Sequence, residues 1–145
     1  MAATMDIRDI EQREFNVRNK IERLVEVIVK LGEKSCPEKF NAVFKDIHKK
    51  NEALINTEKQ WLWAEKNYNI YKNVPVKALH WLAMIITLDK QYSFELINIA
   101  GEILQKLGKM PDFKNWQKVL LALVKTEEQL NKEEIVLLEK YGFHK

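Results

Sequence analysis

The sequence predicts an all-α protein: an irregular bundle of six to seven helices around a central apolar helix at about residues 75–89. Three observations carry this expectation. Glycine and proline are scarce, with 4 and 3 among 145 residues, whereas a sandwich or barrel of short strands needs turn residues at every reversal. Apolar side chains recur at steps of three and four through most of the chain. No stretch alternates apolar and polar residues for long enough to form a half-buried strand.

The first periodic segment spans about residues 5–31. Ile10, Val17, Ile21, Leu24, Ile28 and Leu31 form one stripe, because steps of seven, four and three return to the same helix face. Gly32 stands where a helix end is expected. From Ile21 onward, Val25, Val27 and Val29 widen the apolar face. Before Ile21 the stripe is narrow, so residues 5–20 either project or pack on a single neighbour. Ser35, three residues before Glu38 with Pro37 between them, has the form of a capping box opening a second helix. Its apolar positions are Phe40, Val43, Phe44, Ile47, Leu54 and Ile55. Thr57 with Gln60 repeats the pattern and places a break near Asn56, with a continuous helix over 37–72 as the alternative.

A third helix carries Trp61, Leu62, Trp63, Tyr68, Ile70 and Tyr71. Pro75 suits the first turn of a fourth, and residues 76–88 are apolar on nearly every side, as a central helix requires. Ser93 then caps a fifth helix over 94–107, stopped at Gly108. Asp112, after Pro111, caps a sixth bearing Phe113, Trp116, Val119, Leu120, Leu123 and Val124. Asn131 with Glu134 opens a short last helix through Tyr141, closed by Gly142. The connections are short, no internal linker is visible and no repeat recurs, so residues 1–145 read as a single domain.

Composition excludes several classes. The net charge of +3 is mild, and no run of five or six like charges forms a basic arm or an acidic tail. All four arginines lie in the first 23 residues; their absence elsewhere disfavours specific reading of DNA bases. Cys36 is the only cysteine, so a disulfide framework is excluded. The first 18 residues hold no apolar run of the kind a signal peptide needs. The longest apolar stretch, residues 78–88, falls short of the roughly 20 residues of a membrane span. The expectation is a cytoplasmic protein without a membrane partner.

No motif for catalysis, metal binding or phosphate binding is present. None of His48, His80 and His144 lies three residues after a glutamate, the spacing of helical di-metal sites, and there is no HExxH and no cysteine pair for zinc. No GxSxG, Walker A or GxGxxG sequence occurs. No metal and no cofactor is therefore expected. An enzymatic reading would have to gather residues without recognisable spacing, such as Cys36, His48, His80 and Glu102. His80, on the most apolar helix, is expected to be a core or boundary histidine with its hydrogen bonds satisfied.

Partner surfaces are the remaining signal. Trp61, Trp63, Tyr68 and Tyr71 are interleaved with Lys59, Lys66 and Lys72. Two tryptophans two residues apart point about 200° apart on a helix, so one face cannot bury both. Trp61 lines up with Leu54 and Tyr68 as the core member, leaving Trp63 to a second layer or to the surface. An exposed tryptophan with Tyr71, Lys59 and Lys66 nearby has the composition of a binding hot spot. The expected partner is another protein. A second reading has the same segment, 59–72, stack bases and neutralise phosphates of a nucleic acid, although residues 36–72 carry a surplus of only two positive charges, 7 basic against 5 acidic groups. A third has the narrow stripe of the first helix, with Ile10 and Val17, pair with another copy of the chain.

Overall fold

The computed structural model describes residues 2–107, 109 and 113–140. Five helices account for nearly all of these: α1 (Ala2–Ser35), α2 (Pro37–Asp46), α3 (His48–Tyr71), α4 (Pro75–Leu107) and α5 (Lys114–Lys140). No strand occurs among the described residues. The chain is all-α as expected, with five longer helices in place of six to seven. The expected helix signals at Gly108, Pro111, Asp112, Tyr141 and Gly142 lie outside the described residues, as does His144.

The apolar stripe of α1 determines where α4 lies. Ile7, Ile10, Val17 and Ile21 share a core with Leu82, Ile86, Leu96 and Leu130, and Leu24 and Ile28 share the next one with Ile99, Ile103, Leu107 and Leu120. Low numbers of α1 meet low numbers of α4, so these two helices run parallel, while α5 runs against both. On the far side of α4, Ala64 of α3 packs on Ile85 and Leu88, and Lys50 near the start of α3 reaches Glu102 near the end of α4. Thus α3 is also antiparallel to α4. Short α2 closes one end with Phe40 and Val43. Helix α4 touches α1, α2, α3 and α5, the position its apolar sequence demands.

Three expected breaks are absent, and each has the same cause. The polar residues around Asp89–Lys90, where the fourth helix was expected to end, sit inside α4 with both side chains buried. Ser93, expected to cap a fifth helix, is fully buried in the same helix. Thr57 does not begin a helix; it lies within α3, its hydroxyl donating to the Ala53 carbonyl at 3.0 Å and pairing with Glu95. The stretch before Asn131 continues as α5 because Glu127 and Glu134 are buried against other helices. A polar run marks a loop only when water must satisfy it; here Thr57 has Glu95, Asp89 has Arg18 and Glu127 has Glu14 as partners on neighbouring helices. The real irregularity between α2 and α3 falls at Ile47 (φ −97°, ψ 11°), a buried apolar residue that carries no turn chemistry.

The turn from α1 to α2 also differs from expectation. Gly32 is inside α1, Ser35 ends it, and Cys36 precedes Pro37 at the first turn of α2 without a side-chain cap. The Cys36 N–H donates to the Gly32 carbonyl at 3.0 Å. Gly32 is required by contact: a Cβ there would stand 2.3 Å from the ring of Phe40, itself buried. Alanine at a helical glycine ordinarily adds about 1 kcal/mol, but overpacking a filled core costs about 1–3 kcal/mol. Gly32→Ala is therefore expected to lower the thermal midpoint by about 2–4 °C, measured by circular dichroism; a rise would show that Phe40 has room to move.

Candidate functional site

Trp63 lies on the outer side of α3, 55% exposed. With 100° between successive residues, Ile55, Lys59, Leu62, Trp63, Lys66 and Ile70 fall within about 100° of one another, and all six are exposed. The opposite face of α3 carries Leu54, Trp61, Ala64 and Tyr68 toward α1 and α4. The helix is thus apolar on two sides, and its own fold covers one. The indole of Trp63 is held in place by Trp81 of α4, edge to face with ring centroids 5.0 Å apart. His80 stacks edge-on against Trp81 at 5.2 Å. It is exposed, not a core or boundary histidine as its position on the apolar helix suggested.

The stripe ends at the corner joining α3 to α4. The Val74 N–H donates to the Tyr71 carbonyl at 2.9 Å, and the Ala78 N–H to the Val74 carbonyl at 2.8 Å. This tight turn leaves Val74 and Val76 exposed, the latter 78%. Tyr71 points away from the stripe and is half-buried, with the Lys77 ammonium 4.5 Å from its ring centre; it braces the corner. From 59 to 77 the chain carries Lys59, Lys66, Lys72 and Lys77 against Glu65 alone.

Of the six residues singled out for partner binding, Lys59, Trp63 and Lys66 share this outer face. Ile10 and Val17 are elsewhere: both are buried in the core with Leu82, Ile86 and Leu130, so the stripe of α1 is covered by the chain's own helices and is not free for a second copy. Residues 7–21 are accordingly packed, not projecting. The four residues of the enzymatic reading have separate surroundings. Cys36 precedes α2, His48 pairs with Glu52 at 3.0 Å on the surface, His80 lies by Trp81, and Glu102 binds Lys50 at 2.9 Å. Among the described residues, no group of three His, Cys, Asp or Glu is arranged to hold a metal ion, and no helix is long and apolar enough to cross a membrane.

A second feature, unseen in the sequence, is a set of buried charges between the helices. Arg18 of α1 binds Asp89 of α4 at 2.8 Å. Its guanidinium lies over the rings of Phe15, Trp61 and Tyr92, 4.9, 5.1 and 5.3 Å from their centres, a cation among aromatic faces that attract it. Further along, Glu14 of α1 meets Glu127 and Glu134 of α5. All three are fully buried, and Lys90 of α4 stands 3.8 Å from Glu134. Carboxyl groups in contact must share protons, because like charges this close cannot all ionise. Burial, then hydrogen bonds with Glu134 and Glu127, push Glu14 up to about 12. Burial raises Glu127 to about 7. Asp89 also rises to about 7 through burial, against the opposing pull of Arg18.

The signal for these residues was present but easily passed over. Glu14 stands midway in the seven-residue step from Ile10 to Val17, on the apolar face. Glu127 and Glu134 follow Leu120 at successive intervals of seven.

Comparison with known proteins gives no match to a family model, to a curated sequence or to a solved structure.

Each raised carboxyl holds its proton more tightly folded than unfolded. Between its two pKa values the folded state binds more protons, so stability falls as pH rises through that interval. For Asp89 and Glu127 the interval ends near pH 7. From these two groups, stability measured by urea denaturation is expected to fall by on the order of 5 kcal/mol from pH 5 to pH 8. Arg18→Ala leaves Asp89 buried without its partner and is expected to cost about 3 kcal/mol at pH 8. At pH 5 it should cost less, where the carboxyl takes up a proton. Equal losses at the two pH values would refute the assignment.

Proposed function

We propose that this chain is a small protein-binding module, an adaptor, inhibitor or regulator that acts by contact and not by catalysis. Its docking face is the outer stripe of α3 with the α3–α4 corner, and its partner is an amphipathic segment with an apolar stripe and acidic flanks. The observation that carries this reading is Trp63: a large aromatic side chain, mostly in water, fixed by Trp81 and continued along the helix by Leu62, Ile70 and Ile55. An immobilised aromatic loses little entropy on binding, and tryptophan is enriched among residues that dominate interface energetics. The contiguous apolar surface is of the kind that marks association sites on otherwise soluble folds.

The lysines select the occupant. Lys59 and Lys66 stand within the stripe, so a second copy laid across it would oppose ammonium to ammonium. An acidic segment would place carboxylates there instead, and complementary charge contributes chiefly to specificity and encounter rate. The same argument favours protein over nucleic acid: Glu65 lies in the aromatic segment and Glu58 just before it, and the positive surplus there is far below the basic stripe usual for phosphate backbones.

The test uses labelled peptides and fluorescence anisotropy. A helical peptide with a leucine stripe and glutamate flanks is expected to bind, and the same stripe with lysine flanks is not. Trp63→Ala should weaken binding at least tenfold, about 1.4 kcal/mol, while moving the thermal midpoint by less than about 2 °C. Equal binding of both peptides, or preference for a single-stranded oligonucleotide or anionic vesicles, would overturn the proposal. A large loss of stability in Trp63→Ala would identify the residue as part of the fold.

A further inference from the structure

Helix α5 is held to the bundle by an uneven seam. Its inward side chains include Leu120, Glu127, Leu130, Glu134 and Leu138, all buried. Leu120 belongs to the apolar core shared with α2 and the end of α4, and Leu130 to the core shared with the first half of α1. Around Leu130 the contact runs through carboxyl groups: Glu127 and Glu134 face Glu14 of α1, with Lys90 as the facing cation from α4. Helix α5 packs on α1 and α4; at the rim of the same seam stand the Arg13–Glu133 pair, Asp9 beside Arg13, and Lys125, Lys132 and Lys140 along the grooves. The outside of the seam is open. A groove of about 600 Å³ runs beside Ile10, Arg13, Glu133, Val136 and Leu137, and a second of about 370 Å³ beside Val17, Thr126, Gln129 and Leu130. Arg13 lines both. Among the described helices, α5 packs on α1 and α4 alone in the contacts that define the bundle.

We propose that α5 is a proton-held latch. It stays on α1 and α4 while Glu14, Glu127 and Glu134 share protons, and it lifts from them when the group ionises beyond what Lys90 can balance. Each proton lost from the closed seam adds a negative charge beside the neighbouring carboxyls, with Lys90 as the facing ammonium, in surroundings that screen it weakly. Glu127 ionises first, and Glu14 keeps its proton until α5 lifts and water reaches it. Carboxyl contacts that held the helices together as hydrogen bonds then repel. The apolar positions of α5 and the first half of α1, buried until then, become available to a partner. The position of Glu127 near neutrality, caused by its burial, places the transition within the range a cell can reach. This inference is independent of the α3 docking face, which lies on the other side of α4.

Hydrogen exchange with mass spectrometry on the full chain tests it, at pH 5.5 and 8.5, with rates normalised to the intrinsic pH dependence of exchange. Peptides from residues 118–138 are expected to lose at least tenfold in protection at the higher pH, while those from 82–104 change by less than threefold. Glu127→Gln, which keeps shape and removes the charge, should flatten the α5 response. Loss of protection in α4 and α5 together, no change in α5, or an unaltered response in Glu127→Gln overturns the proposal. If the variant fails to fold, the wild-type profile decides alone.

Discussion

The packing of this bundle depends on charged groups removed from water and on the partners that make this tolerable. Arg18 with Asp89, and Lys90 with the three glutamates, lie where a simpler bundle would place leucine. Replacing such groups by apolar side chains is often neutral or stabilising, so net stability is a weak account of their presence. They act on arrangement. An arginine among three aromatic rings, bonded to one aspartate, fits a single placement of α1 against α4. Three carboxyls and an ammonium likewise fix how α5 lies against both. Apolar stripes alone would permit sliding by a turn; a buried charge displaced by a turn loses its partner.

The same groups explain what could and could not be read from the sequence. The all-helical class was legible because Ile10, Val17, Ile21, Leu24 and Ile28 repeat at helical spacing and are all buried. The hub was legible because residues 76–88 are apolar nearly all round. The number of helices was not, because Thr57, Asp89, Lys90, Ser93 and Glu127 resemble the polar residues of caps and connections. Thr57, Asp89 and Glu127 meet distant residues, Glu95, Arg18 and Glu14, and local pattern does not contain those pairings. The one true irregularity in the long α2–α3 stretch sits at Ile47, where nothing in the residue type announces it.

The proposed docking face was half legible. That Trp61 and Trp63 must point apart follows from helix geometry alone; the sequence placed Trp61 in the core and left Trp63 to a second layer or to the surface. Trp81, which holds Trp63, came from another helix and went unnoticed. Tyr71 was grouped with the stripe by proximity in sequence, whereas its own angle on the helix carries it toward Lys77. Ile10 and Val17 were offered to a second copy because the stripe before Ile21 looked too narrow to be covered. What fills that face is α4 together with α5, and the inward residues of α5 are partly glutamates and so did not look like a matching surface.

The parallel course of α1 and α4 also bears on how the chain is made. Parallel neighbours cannot be joined by a short turn, and here α2 and α3 form the crossover. A nascent chain emerges from its N-terminus at about 5–20 residues per second, so α1 leaves the ribosome seconds before the helix that covers it. Arg13 waits longer still, since its partner Glu133 lies 120 residues further on. During that interval only the end of its oily side has a native neighbour, the short α2. The charged residues on its other side, and the glutamate set within its stripe, are of the kind that interrupts a sticky apolar surface while the rest of the fold is still to come.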